Sequence, residues 1–114
     1  MQTQEGTVNE GEIEVTEVKR KLDRGDQFVL IDVREPFEAK IASIPGAKLI
    51  PLGVFPNHVG DFQPESEIVI HCRSGARSAR ACAILRNAGF KNVRNMKGGI
   101  LAWSEQVDPS VPRY

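Results

Sequence analysis

The run Phe28-Val29-Leu30-Ile31-Asp32-Val33 restricts the fold more than any other stretch of the chain. It is apolar without strict alternation, the pattern of a strand covered on both faces. Strands of that kind belong to parallel sheets, whose connections usually carry helices. The remaining sequence supplies them. Ile13-Glu14-Val15 is a brief strand, and Thr16 caps a helix that runs to Asp23 and is closed by Gly25. Residues 35–40 form a short helix with Pro36 at its start, and Pro45-Gly46 turns the chain into a third strand, Ala47-Lys48-Leu49-Ile50. Ile68-Val69-Ile70-His71 is a fourth strand. Residues 77–87 are helical with Ala81, Leu85 and Ala88 on one face, and Gly89 ends that helix. Val93-Arg94-Asn95-Met96 is the last strand, and Gly98-Gly99 opens a helix that continues to Gln106 before Pro109 and Pro112. Residues 51–66 carry three prolines and read as loop with one helical turn near residues 52–55. The expected fold is therefore α/β, a central parallel sheet with right-handed crossovers and helices on both faces. Sites in such sheets lie beyond the carboxyl ends of the strands.

With 114 residues, the chain has room for one core. Residues 13–114 read as one domain and residues 1–12 as a flexible acidic leader or linker, which suits either a standalone protein or a domain of a longer chain. Lysine plus arginine equal aspartate plus glutamate at 15 each, so the overall charge predicts neither nucleic acid nor an anionic membrane as partner. The polar, acidic N-terminus is not a targeting signal, and prolines and glycines break the longest apolar region before it could span a bilayer. Two cysteines without a secretion signal point to reduced thiols in a cytoplasmic compartment.

One of those cysteines has unusual neighbours. Directly after the fourth strand comes Cys72-Arg73-Ser74-Gly75-Ala76-Arg77-Ser78, which then enters a helix. Backbone amides in a tight strand-to-helix loop converge as an anion-binding nest, and the helix N-terminus adds partial positive charge. Arg73 and Arg77 are expected to add full charges beside the sulfur, Ser74 and Ser78 to offer hydroxyls, and Gly75 to permit a positive φ or close approach of substrate. These features predict a low-pKa, nucleophilic Cys72.

The same residues carry a family resemblance. The loop from Cys72 to Ser78 resembles the active-site loop of rhodanese-type sulfurtransferases. Leu30-Ile31-Asp32-Val33-Arg34-Glu35, Ile44-Pro45-Gly46-Ala47, Gly89-Phe90 and Gly98-Gly99-Ile100-Leu101-Ala102-Trp103 resemble the family's other motifs, in the expected order. The resemblance implies a rhodanese-like fold and a sulfurtransferase in which Cys72 takes sulfane sulfur as a persulfide, cradled by residues 73–77. The donor would be a small molecule such as thiosulfate or a persulfidated protein. The end of the chain, from Ala102-Trp103 and then Gln106 to Tyr114, resembles rhodanese domains fused to adenylyltransferases of molybdopterin and thiocarboxylate biosynthesis. That likeness implies a ubiquitin-like sulfur carrier and its adenylyltransferase as partners. Two alternatives stand beside this reading. One is a non-catalytic interaction module of the same fold, against which the intact cysteine argues. The other is a Cdc25-like phosphatase or arsenate reductase, whose loops place five residues between Cys and Arg, whereas here four separate Cys72 from Arg77.

Other residues are read more plainly. Cys82 is expected as a small core side chain and not a resolving thiol. His71, on the opposite strand face from Cys72, is a poor general base for it. Asp32 and Arg34 are either a structural ion pair or support for the loop and substrate. Trp103 is expected in the core, and Phe55 and Phe62 are candidates to wall the pocket. The two cysteines and two histidines match no zinc spacing, so no metal is expected, and no cofactor.

Overall fold

The computed structural model describes residues 11–114. The first ten positions of the leader lie outside the described residues, while Glu12 starts the first strand and pairs with Asn95, and the Gly11 carbonyl just before it accepts from Asn95 N at 2.8 Å. The described residues hold five strands, β1 (Glu12–Ile13), β2 (Val29–Asp32), β3 (Lys48–Leu49), β4 (Ile68–His71) and β5 (Val93–Met96). They form one all-parallel sheet in the order β1-β5-β4-β2-β3. Three α-helices lie between strands, α1 (Val15–Arg24), α2 (Pro36–Ile41) and α3 (Ala76–Asn87), and a fourth, α4 (Gly99–Gln106), follows β5.

The central strands β2 and β4 are apolar on both faces because both faces are covered. Ile31, Ile68 and Ile70 enter one buried cluster with Ala81, Cys82 and Leu85 of α3. Leu30 and Val69 point the other way and pack with Val15 and Val18 of α1 and Ile100 and Trp103 of α4. The period-two alternation of side chains thus divides one apolar run between two cores. Trp103 is in the core, as its sequence context suggests.

Local expectations fail in three places, each for a physical reason. Helix α1 starts one residue before Thr16: Glu14 is its extended N-cap, without a side-chain capping bond, because Val15 is drawn into the apolar cluster against α4. Gly25 does close this helix in the left-handed conformation, φ 73°. The segment expected as loop with one turn is a 3₁₀ stretch over Leu52–Asp61. The buried Phe55 anchors it to the core despite Pro56 within it. For the same reason Phe55 presents no surface to a pocket, and Phe62 is only half-buried, with the Lys48 ammonium over its ring. Among the described residues no helix is long and apolar enough to cross a membrane.

Candidate active site

Strand β4 ends at His71, so Cys72 emerges at the carboxyl edge of the sheet, and four residues later α3 begins. Gly75 makes the turn with φ 126°, a conformation that side-chain-bearing residues rarely adopt. The chain thereby folds back so that the amides at the start of α3 face the sulfur. Cys72 Sγ accepts from Gly75 N at 3.1 Å and from Ser78 N at 3.4 Å, with the Ser78 hydroxyl at 3.3 Å. Burial alone pushes the thiol up. The Ser78 hydroxyl and the amides of Ser78, Gly75 and Ser74 more than offset this and hold it below its ordinary value.

A second glycine fixes the loop from beneath. The first turn of α4 lies against it, with Ile100 N donating to the Cys72 carbonyl at 3.0 Å and Leu101 N to the Arg73 carbonyl at 3.2 Å. Gly99 has φ 61°, and a Cβ there would come within 2.7 Å of the Cys72 carbonyl oxygen and collide with that of Arg73. The Gly98-Gly99 pair therefore does more than open a helix: it lets α4 dock directly on the backbone of the cysteine loop.

The two loop arginines stand elsewhere than the sequence suggests. Arg77 forms a bidentate pair with Glu38 of α2 at 2.7 and 2.9 Å. Arg73 is exposed, donates from Nε to the Tyr114 backbone oxygen at 2.8 Å and from Nη2 to the same atom, and lies over the Tyr114 ring. Neither guanidinium donates to the sulfur, although the Arg77 charge, shared with Glu38, stays within electrostatic reach of Cys72. Acceptors within the fold hold both, and at the half-buried Arg77 an unpaired guanidinium would leave donors unsatisfied. The low thiol pKa therefore comes from hydrogen-bond donors. Ser74 and Ala76 are exposed at the loop surface, whereas Ser78 is fully buried.

Asp32 and Arg34 form a buried ion pair, with Arg34 Nη2 at 2.7 Å and Nε at 2.9 Å from the carboxylate. Arg34 also donates to the Ala42 carbonyl at 2.7 Å and to the Tyr114 hydroxyl at 2.7 Å. That hydroxyl donates to Glu38 at 2.8 Å. A chain of contacts thus runs from Asp32 through Arg34, Tyr114 and Glu38 to Arg77, so the buried pair is linked to the loop without touching the sulfur. Arg77, the Glu35 amide and the Tyr114 hydroxyl together hold the Glu38 carboxyl far below its usual range, at about 2. His71 is fully buried and bonds through Nδ1 to the Cys72 carbonyl at 3.2 Å, and its Nε2 lies 3.9 Å from Asp32. Burial pushes its pKa down, and its ring nitrogens engage Cys72 only through that carbonyl.

Glu38, Asn95 and Tyr114 were not singled out from sequence. Asn95 left a signal, a polar residue on the last strand between Val93 and Met96, where apolar side chains are expected to be buried. Glu38 and Tyr114 left none, since each meets the loop only through tertiary contact.

Comparison with known proteins agrees with this geometry. The family model of the rhodanese-like domain matches residues 14–106. A rhodanese-like/PpiC domain-containing chloroplast protein of Arabidopsis thaliana is 42% identical over 90% of this chain, which spans 37% of that protein. A sulfurtransferase of Allochromatium vinosum is 36% identical, covering 88% of this chain and 94% of its own length. A probable adenylyltransferase/sulfurtransferase, MoeZ, of Mycobacterium tuberculosis is 38% identical over 86% of this chain and 26% of its own length. A parallel sheet with a cysteine cradled at the carboxyl end of its central strand, together with a match over nearly all the described residues, leads to one conclusion: the chain belongs to the rhodanese-like domain family.

Proposed function

We propose that this protein is a sulfurtransferase that carries sulfane sulfur as a persulfide on Cys72. The observation that carries the reading is the convergence of Gly75 N, Ser78 N and the Ser78 hydroxyl on Cys72 Sγ. Such a cradle holds a thiolate in a buried setting where a bare one would be protonated. With thiosulfate as donor, the Cys72 thiolate attacks the outer sulfur. A bond from Sγ to that sulfur forms, the S–S bond of thiosulfate breaks, and sulfite leaves with the electron pair. The persulfide's terminal sulfur then occupies the space over residues 73–77, where loop amides and the Ser74 hydroxyl can serve it. In the second step an acceptor nucleophile attacks the terminal sulfur, and Cys72 departs as the thiolate that the cradle stabilises.

Two further features favour sulfur over phosphate. The loop has four residues between Cys72 and Arg77, and Arg77 is occupied by Glu38 and does not close over the loop. The likeness to MoeZ and to the Allochromatium sulfurtransferase supports the same reaction class. As acceptor we propose the adenylated C-terminus of a ubiquitin-like sulfur carrier, on the strength of the relatives named as adenylyltransferase/sulfurtransferases. Mass spectrometry after thiosulfate treatment tests the first claim. One added sulfur, removed by cyanide and absent in Cys72→Ala, is expected, and its absence from the unmodified protein would refute the assignment. Thiocarboxylate formation on a carrier in the presence of its adenylyltransferase tests the second; transfer to cyanide alone would count against it.

A further inference from the structure

Asn95 lies in β5, is only 8% exposed, and touches the loop through both ends of its side-chain amide. Its Nδ2 is 3.0 Å from the Gly75 carbonyl, and its Oδ1 is 2.6 Å from the Ser78 hydroxyl. The Gly75 carbonyl is an acceptor only, so the NH2 end must face it; the reversed amide would set two acceptors against each other. The carbonyl end of Asn95 therefore faces Ser78, and at 2.6 Å the proton between two oxygens can come only from the hydroxyl. Ser78 has a single proton. While it serves Asn95, the hydroxyl presents lone pairs to Cys72 Sγ at 3.3 Å, and the proton on that contact is the thiol's own.

Ionisation of Cys72 reverses the demand. Once the thiol proton has passed to solvent, sulfur becomes an acceptor, and Ser78 can serve it only by turning its proton away from Asn95. We propose that Asn95 is a positioning residue that, by competing for the Ser78 proton, sets how strongly Ser78 supports the Cys72 thiolate. The hydroxyl faces Asn95 when sulfur is protonated or bonded to a second sulfur, and faces Cys72 when the thiolate is free. This restrains the thiolate from becoming too stable to attack, since nucleophilicity falls with thiol pKa. The other titratable and charged groups around Cys72 are Arg77 and Cys82 of α3, the first paired with Glu38 and the second neutral, and the buried His71 of β4, which meets Cys72 only through its carbonyl. Within the loop, Arg73 is held by Tyr114. None of these groups accepts the Ser78 proton; the Gly75 carbonyl, 3.2 Å from the hydroxyl, is a further acceptor, but it lies farther than Asn95 Oδ1 and already takes the Asn95 amide.

The inference rests on Cys72 being the working thiol, but its test reads ionisation and needs no sulfur transfer, so failure of one leaves the other standing. Iodoacetamide alkylation rates are followed against pH by peptide mass spectrometry; trypsin cuts after Arg73, Arg77 and Arg80, which separates the Cys72 and Cys82 peptides. Ser78→Ala is expected to raise the Cys72 pKa by about one unit, the size of a hydrogen bond to a charged group. Asn95→Leu, which removes the competing acceptor at similar volume, lowers it by about half a unit to one unit, and Asn95→Ala lowers it likewise. In the Ser78→Ala background neither Asn95 substitution shifts it further. A shift that persists without the Ser78 hydroxyl, an upward shift or no shift overturns the proposal. In the unmodified protein, the NMR resonance of the Asn95 side-chain carbonyl carbon moves with the Cys72 titration, and a resonance that stays fixed overturns it as well.

Discussion

Cys72 and Cys82 stand ten positions apart and are equally buried, each about 1% exposed. Both belong to the same apolar cluster. Yet their thiols move in opposite directions. Cys82 sits within α3, where every nearby amide is committed to the helix, and burial pushes it up to about 11. Cys72 suffers the same loss of water but stands beside the Ser78 hydroxyl and faces the amides of Ser78, Gly75 and Ser74, and it falls below the ordinary value. Burial therefore does not decide reactivity here. The decisive factor is whether backbone donors are left over, and only the interrupted backbone between β4 and α3 leaves any.

The sharpest way to break the comparison is to exchange the roles of the two thiols. Cys72→Ala should abolish persulfide formation to background, whereas Cys82→Ala should leave it within about twofold, because Cys82 meets no reacting atom; equal losses in steady-state sulfur transfer would erase the distinction. Next in size is Gly99→Ala. Its Cβ would push against the Cys72 and Arg73 carbonyls, so we expect a loss of about 2–4 kcal/mol in denaturant unfolding, together with a raised Cys72 pKa as the loop shifts. An unaffected pKa would mean that the cradle does not depend on docking of α4.

Glu38→Gln asks whether charge matters after all. The Glu38 carboxyl is held at about 2 against 4.5 in the unfolded chain. Its contribution is therefore complete above pH 4.5 and lost as pH falls toward 2. With the partner guanidinium about a third exposed, we expect about 1–2 kcal/mol, measured as the difference in stability between wild type and variant at pH 7 and vanishing at low pH. The alkylation rate of Cys72 at pH 7 should change less than about threefold, and a larger change would return the arginine to the thiol's electrostatics. The smallest effect expected is on folding in Cys82→Ala, about 1 kcal/mol for one buried sulfur, read from the thermal midpoint.

The legibility of these parts in the sequence follows the range of the forces that set them. The apolar runs Val29–Asp32 and Ile68–His71 gave the strands almost residue for residue, because burial on both faces is written in every consecutive side chain. Gly25 and Gly89 marked helix ends through their backbone freedom. The start of α1 was misplaced, since Thr16 offers a good local cap but Val15 has a better place against α4. The length of the 3₁₀ stretch was hidden for the same reason, as Phe55 gains more by entering the core than Pro56 costs as an interruption.

The parallel α/β sheet and the loop at its carboxyl edge follow from the sequence without further information, because apolar periodicity and turn residues act on neighbours along the chain. So does the place of Cys72 at a strand tip with a helix behind it. The tertiary structure alone decided which groups face the sulfur. Arg77 went to Glu38, 39 positions away, Arg73 went to Tyr114, 41 positions away, and Ser78 met Asn95, 17 positions away. Each donor takes the best acceptor that folding brings within 3 Å or so, and distance along the chain carries no information about that.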